Sequence, residues 1–263
     1  MIDKKEFLLQ YIIKAYIEHL EPIGSTQLKS MYDITYSPAT IRGYFKKLGE
    51  EGYLAQEHIS SGRTPTTEAL KQYWQSKLNF KLKGINLRAL EYFASNIGLS
   101  VFIKKEKSDI LKNILNVENR YMILEFSSFA ISVKYSDALY RFLNDMIGLD
   151  LKDITKVSKD VGAYEVYESI NQTLQNSDFQ IFNYKEFLTL ALNYDLDEYT
   201  INSFLKGQIL DELKEGLYFD KLLPPNYIGI CNYCKINNED VKMLVIGELP
   251  KDYEYFYEKI TTF

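Results

Sequence analysis

The sequence is poor in the residues that most often carry catalysis, metal binding or covalent cross-links. Its 263 residues include only two cysteines and two histidines, His19 and His58. Two cysteines are too few for a disulfide framework, and neither histidine lies in a set with the spacing of a zinc site. No apolar run approaches the roughly 18 residues of a membrane span, and the charged start lacks the apolar segment of a secretory signal. We therefore expect a cytoplasmic globular protein with no membrane partner.

Catalytic patterns are also scarce. The chain has no Gly-rich phosphate loop and no Ser/His/Asp set. Cys231 and Cys234 form a CxxC, which could be a redox pair or half of a zinc site. The pair lies in a predicted strand, whereas redox pairs prefer a helix start that lowers the thiol pKa; ordinary strand cysteines are therefore the favoured interpretation. The sequence predicts no catalytic residue, no metal site and no cofactor.

Charge is divided unevenly along the chain, whose formal net charge is −5. Residues 1–80 carry ten Lys/Arg against nine Asp/Glu, and the remainder carries twenty-one against twenty-seven. The acidity therefore belongs to the second part, and any affinity of the first part for nucleic acid must come from local placement of charge.

A helix is predicted to begin at Ser37, where two start signals coincide. The Ser37 hydroxyl can cap the helix, and Pro38 follows at the position where a missing N–H costs nothing. Ile41, Phe45 and Leu48 then form one apolar stripe. The side chains on the other face are small near the helix start and basic toward its end, which suits a helix in the major groove of DNA. The members of this face are Ala39, Thr40, Arg42, Gly43, Lys46 and Lys47.

The flanking segments predict a winged helix-turn-helix over residues 1–80. A first helix ends near Leu20, and a short second helix, Thr26–Tyr32 with Ser25 as its cap, precedes the one at Ser37. A strand at 53–56 and a return at 64–66 then form the wing. Arg63, at a tip of residues 60–63, can contact a phosphate or the minor groove.

Four blocks of this region resemble the N-terminal signature of the HrcA family, the heat-inducible transcription repressors of bacterial chaperone operons. They are Glu21–Ser25, Ser37–Arg42, Glu51–Leu54 and Ser61–Thr66, in the family's order. The chain departs from the family at Gly43, where an asparagine is usual. Pattern and resemblance together predict DNA contacts at Ser25, Thr26, Ser37, Ala39, Thr40, Arg42, Gly43, Lys46, Lys47, His58, Ser61, Gly62 and Arg63.

Residues 81–263 are predicted to form an α+β sheet domain that carries a helical insertion. A linker is expected at 81–84 and a strand at 99–104. Strands at 121–126 and 129–135 are expected to form a hairpin, and strands at 227–233 and 241–246 to pair around Asn237 and Asn238, with a closing helix at 253–260. Residues 152–213 have mostly helical spacing, with one apolar stripe at Tyr164, Tyr167, Ile170 and Leu174 and another at Phe187, Leu190 and Ala191. The segments Phe142–Asn144 and Val245–Gly247 resemble family blocks, which implies a GAF-like domain with an inserted dimerising segment.

The resemblance implies a homodimer that binds double-stranded DNA at an inverted-repeat operator, the CIRCE element of chaperone genes. It also implies that the chaperonin GroEL promotes the active repressor and that heat stress removes it. Two alternatives stay open: a regulator whose GAF-like domain senses a metabolite, for which there is no supporting sequence feature, and a winged helix that docks proteins. The second stays open because helix-turn-helix units also serve as protein-interaction modules, and a polar outer face of a helix is often only solvated.

Overall fold

The computed structural model describes residues 4–56, 58, 61–78, 82, 84–105, 109–175 and 179–262, the side chains of 174 and 175 excepted. The fold is mixed α+β and forms two compact units, residues 1–103 with 180–263, and residues 104–179. The predicted tip residue Ser60 and the predicted linker residues Lys81 and Lys83 lie outside the described residues.

Three helices and a two-stranded antiparallel sheet open the first unit. The elements are α1 (Lys4–His19), α2 (Ser25–Tyr32), α3 (Pro38–Glu50), β1 (Leu54–Ala55), β2 (Thr64–Pro65) and α4 (Thr67–Lys77). Ile41, Phe45 and Leu48 on α3 are buried, with exposures of 0%, 4% and 1%. They pack with residues of α1 and α2 in one apolar core, so the predicted stripe on α3 is confirmed.

A seven-stranded sheet forms the rest of this unit, in the order β12-β3-β10-β11-β4-β8, with β9 also paired to β10. Its elements are β3 (Gly84–Ile85), α5 (Leu87–Ile97), β4 (Ser100–Lys105), β8 (Phe179–Phe182), α9 (Tyr184–Asn193), α10 (Glu198–Leu205), α11 (Ile209–Glu212), β9 (Gly216–Tyr218), β10 (Tyr227–Ile236), β11 (Glu239–Glu248), α12 (Tyr253–Ile260) and β12 (Thr261–Thr262). The predicted hairpin of β10 and β11 is confirmed. Its turn residues, Asn237 and Asn238, have φ of 52° and 66°, a conformation that asparagine tolerates.

The helix α4 is packed on this sheet through buried contacts. Trp74 is fully buried, and its Nε1 donates a hydrogen bond of 2.7 Å to the Leu249 carbonyl. Its ring lies edge-on to Tyr253, with centroids 5.1 Å apart. The Lys71 ammonium contacts the Asp220 carboxylate at 2.6 Å. The two compact units therefore do not divide at residue 80, and the domain boundary there stays a prediction about function.

The second unit carries its own three-stranded antiparallel sheet, in the order β5-β6-β7. Its elements are β5 (Leu111–Val117), β6 (Tyr121–Phe126), β7 (Ala130–Lys134), α6 (Asp137–Asn144), α7 (Leu151–Asp160) and α8 (Tyr164–Gln175). The predicted hairpin of β6 and β7 is confirmed. The predicted helical insertion is wrong in part, because the inserted unit combines the helices α6, α7 and α8 with this three-stranded sheet. The strand β5 was not predicted.

The predicted apolar stripe on α8 is wrong in part. Tyr164 is 60% exposed, whereas Val166 and Ile170 have no exposure. The buried row thus starts two residues later than predicted, since residues 166 and 170 are one helical turn apart and share a face. The stripe on α9 (Phe187, Leu190 and Ala191) is buried as predicted.

Candidate nucleic-acid interface

The start of α3 is fixed by the two signals read from the sequence. Ser37 is the N-cap, and its Oγ accepts a hydrogen bond of 3.1 Å from the Thr40 backbone N–H. The two hydroxyls are also 2.9 Å apart and hydrogen-bonded. Pro38 is the first helical residue. Both signals define where the helix begins, and the buried stripe of Ile41, Phe45 and Leu48 defines which side chains face outward.

The outer face of α3 is exposed and carries cations that the protein itself engages weakly. All six of the predicted residues on it, Ala39, Thr40, Arg42, Gly43, Lys46 and Lys47, are exposed. Lys46 is 3.8 Å from Glu50, with 77% of its side chain accessible. The Lys47 ammonium lies 5.8 Å from the centroid of the Tyr44 ring. Arg42 has no ion pair or hydrogen bond with another residue that the structure describes. Its guanidinium donors are therefore available to a partner.

The start of α2 differs from the prediction at Ser25. This residue is the first of the helix and is only 8% exposed, while Gly24 occupies the N-cap position. The Gly24 backbone N–H donates to the Gln27 side chain at 3.2 Å. The prediction of Ser25 as the cap is wrong because the helix starts one residue earlier, with Gly24 at the N-cap and no side-chain cap hydrogen bond to the first turn. The neighbouring Thr26 is exposed, as a contact residue requires.

The wing strands pair as predicted, but Arg63 does not lie at a free tip. β1 and β2 are antiparallel, with Leu54 opposite Pro65. Arg63 precedes β2 and exchanges two backbone hydrogen bonds of 2.9 Å with Ile23. This bridge ties the base of the wing to the loop before α2, and it holds the half-exposed Arg63 there.

Gly62 is required by this close approach. A Cβ at Gly62 would lie 2.5 Å from the Pro22 carbonyl oxygen, a distance that real Cβ atoms essentially never show. The predicted role of Gly62 in DNA contact is untested, but its packing role explains the residue. A larger side chain would separate the wing from the loop before α2.

The loop at the wing is held by Ser61. Its Oγ donates to the His58 carbonyl at 2.7 Å and accepts from the His58 N–H at 3.1 Å. The Gln56 side chain donates to the Ser61 carbonyl at 3.1 Å. The Ser61 hydroxyl is therefore engaged inside the loop, whereas His58 is exposed. Sequence reasoning did not predict this role of Gln56, because nothing near it indicates that its side chain hydrogen-bonds to a residue five positions later.

Comparison with known proteins identifies the family. The model of the HrcA C-terminal domain matches residues 74–263. The heat-inducible transcription repressor HrcA of Helicobacter pylori strain J99 is 31% identical over 99% of this chain and 95% of its own length. The same protein of Helicobacter pylori strain 26695 has the same identity and coverage. The chain belongs to the HrcA family.

As an HrcA family member, the chain is a transcription repressor of the heat-shock stress response. Repressors of transcription act on DNA, so DNA is the partner class that this membership implies. A solved hypothetical protein covers 98% of the chain and 96% of its own, with 19% identity and a TM-score of 0.49. In the part of the chain that the structure describes, no helix is both long and apolar enough to cross a membrane.

The two cysteines of this HrcA family member are buried and unpaired. Both lie on β10 three residues apart, so their side chains point to opposite faces of the sheet. Burial raises the pKa of Cys231 to about 11 and that of Cys234 to about 12. Thiols that stay protonated at neutral pH are poor nucleophiles. Their setting agrees with ordinary strand cysteines. No cluster of three or more His, Cys, Asp or Glu suited to a metal occurs among the described residues.

Proposed function

We propose that this HrcA family member acts as a homodimer that binds an inverted-repeat operator of the CIRCE type and silences chaperone operons. In this proposal, residues 1–80 form a winged helix-turn-helix that reads DNA. Residues 81–263 form a GAF-like domain with a dimerising insertion. The proposal adds to family membership a specific binding surface and a specific kind of site.

The observation that carries the proposal is the outer face of α3. It begins at a defined cap, it is exposed along its length, and Arg42 on it has no partner within the described residues. An arginine of this kind can donate two hydrogen bonds to one guanine, the commonest specific contact in the major groove. Lys46 and Lys47 on the same face suit phosphate contacts, which position the helix without specifying sequence.

A dimer is proposed because the charge of one binding unit is small. Residues 1–80 carry a net of only one positive charge, so a single unit would bind weakly. Two linked units raise affinity through effective concentration and require two half-sites. In the second unit, Leu115, Val117 and Tyr121 are 40–50% exposed on neighbouring strands. An apolar surface of this kind is what homodimer interfaces bury.

No observation favours the alternative of a metabolite sensor. The cavity beside Tyr227 and Glu186 holds only about 50 Å³, whereas small-molecule sites are concave and occupy roughly 300–1,000 Å³. The space of about 420 Å³ beside Ile131 and Thr173 is large enough, but it is a shallow groove open to solvent. We also propose that the chaperonin GroEL promotes the active repressor and that heat stress lowers the repressor's activity. If the folded dimer is only marginally stable, mild heating depletes it.

A mobility-shift titration at fixed salt tests this function with three duplex probes: an inverted repeat, one half of that repeat, and a scrambled sequence. We expect tight binding to the inverted repeat, much weaker binding to the half-site and weakest binding to the scrambled duplex. The titration is repeated at heat-shock temperature with and without chaperonin. We expect lower affinity for the inverted repeat at heat-shock temperature, and we expect chaperonin to restore part of it.

Equal affinity for the inverted-repeat and scrambled probes would contradict operator recognition. Equal affinity for the full and half repeats would contradict the dimer. Affinity that is unchanged at heat-shock temperature without chaperonin would contradict heat sensing by the protein itself.

A further inference from the structure

Gly43 occupies the middle of α3, and nothing in the part of the protein that the structure describes accounts for it. A glycine within a helix destabilises that helix relative to alanine. Gly43 does not need a positive φ, which would otherwise justify a glycine. A Cβ placed on it would meet nothing within 4 Å. The protein could therefore hold alanine there at no steric cost and with a more stable helix.

The second glycine of α3 is different. A Cβ on Gly49 would lie 3.6 Å from the Leu54 carbonyl oxygen, an ordinary van der Waals contact within the protein. Gly49 is also half-buried, whereas Gly43 is exposed. No described residue contacts the position of a side chain at 43, which leaves a neighbour outside the chain as the explanation for the glycine.

The surroundings of Gly43 indicate what that outside neighbour is. The helical period of 3.6 places Gly43 opposite the buried stripe, at the centre of the outer face. The same period places Arg42 and Lys46 to one side of it and Thr40 and Lys47 to the other. The bare stretch of backbone thus lies between two rows of hydrogen-bond donors, three of them cationic.

We propose that α3 makes its closest approach to DNA at Gly43, and that the missing side chain sets how deeply the helix enters the major groove. The inference rests on the proposed DNA-reading function. A helix with its side chains is about 10–12 Å across, and the groove is about 12 Å wide. The fit leaves little clearance, and glycine is the residue that permits close approach of backbone to a ligand. A longer side chain at this position lifts the helix and moves Arg42 away from the base edges.

The test is a size series at Gly43 with a matched control on the same helix. The variants Gly43→Ala and Gly43→Leu are compared with Gly49→Ala and the unsubstituted protein. Each is measured for binding to the inverted-repeat probe and to the scrambled probe at one salt concentration, and for its thermal unfolding midpoint. Leucine is used because it favours helix and cannot hydrogen-bond to bases.

We expect unfolding midpoints that are equal or higher in all three variants. We expect Gly43→Leu to lose at least tenfold in affinity for the inverted repeat, Gly43→Ala to lose less, and Gly49→Ala to bind as the unsubstituted protein does. Binding to the scrambled probe should change less than twofold, since phosphate contacts need no deep entry.

Operator affinity of Gly43→Leu within twofold of the unsubstituted protein would overturn the inference. So would an equal loss on both probes, or a loss accompanied by a lower unfolding midpoint, because either points to a structural cause. If the unsubstituted protein itself does not distinguish the two probes, the proposed function fails first, which separates the two outcomes.

Discussion

The helices α3 and α4 begin in the same way but differ in what the rest of their surface contacts. Each starts at a hydroxyl N-cap, Ser37 for α3 and Thr66 for α4, and each buries one face. The other sides differ. α4 packs Trp74 against the seven-stranded sheet and pairs its Lys71 with Asp220, whereas α3 leaves its cations exposed.

This difference implies that α4 contributes mainly to the stability of the fold, whereas the outer face of α3 is available for binding. Burying Trp74 joins α4 to the core of the sheet, which is distinct from the smaller core beneath α3. Because the donors of α3 contribute little to folding, they are available to a partner. Substitutions on α4 should therefore change the free energy of unfolding, and substitutions on the outer face of α3 should change DNA affinity.

The largest effect is expected for Trp74→Ala on α4. The change removes a buried indole and leaves the Leu249 carbonyl without its donor, so the free energy of unfolding should fall by about 3–5 kcal/mol. Urea denaturation followed by far-UV circular dichroism measures it, and Tyr92→Ala, at an aromatic residue 62% exposed on α5, is the matched control. A loss below about 1 kcal/mol would contradict the claim that the packing of α4 on the sheet stabilises the fold.

A smaller effect is expected when the two caps are removed. Ser37→Ala and Thr66→Ala should each lower the free energy of unfolding by about 1 kcal/mol. Thr66→Ala should cost at least as much, since its hydroxyl also donates to the Gly52 carbonyl at 2.8 Å. Only Ser37→Ala should weaken binding to the inverted-repeat probe, because only its helix carries the proposed DNA-binding face. An equal loss of binding in both variants would remove the distinction between the helices.

The sequence predicted those elements whose pattern and end signals lie close together in the chain. The cap and proline at the start of α3 placed that helix, and α12 has the predicted bounds Tyr253–Ile260. The hairpin of β10 and β11 followed from two apolar runs on either side of an Asn-Asn turn. In each case a short segment contains both the apolar pattern and the residue that ends it.

Contacts distant in sequence were not predictable in this way. The bridge between Ile23 and Arg63 joins segments forty residues apart, so Arg63 was placed at the tip of the wing instead of its base. The strand β5 was missed because most of its side chains are exposed, which hides the alternation of a half-buried strand. The packing of Trp74 on Leu249 likewise depends on tertiary structure alone.

The most direct test of the account is the affinity of Arg42→Ala for the inverted-repeat and scrambled probes over a range of salt concentrations. Arg88→Ala is the matched control, since Arg88 is also exposed but lies on α5, beside the sheet. We predict that Arg42→Ala loses about 1–3 kcal/mol of binding to the inverted repeat, with relaxed sequence preference. Its unfolding midpoint should not change, and Arg88→Ala should match the unsubstituted protein. Unchanged operator affinity in Arg42→Ala would contradict the claim that the outer face of α3 reads DNA.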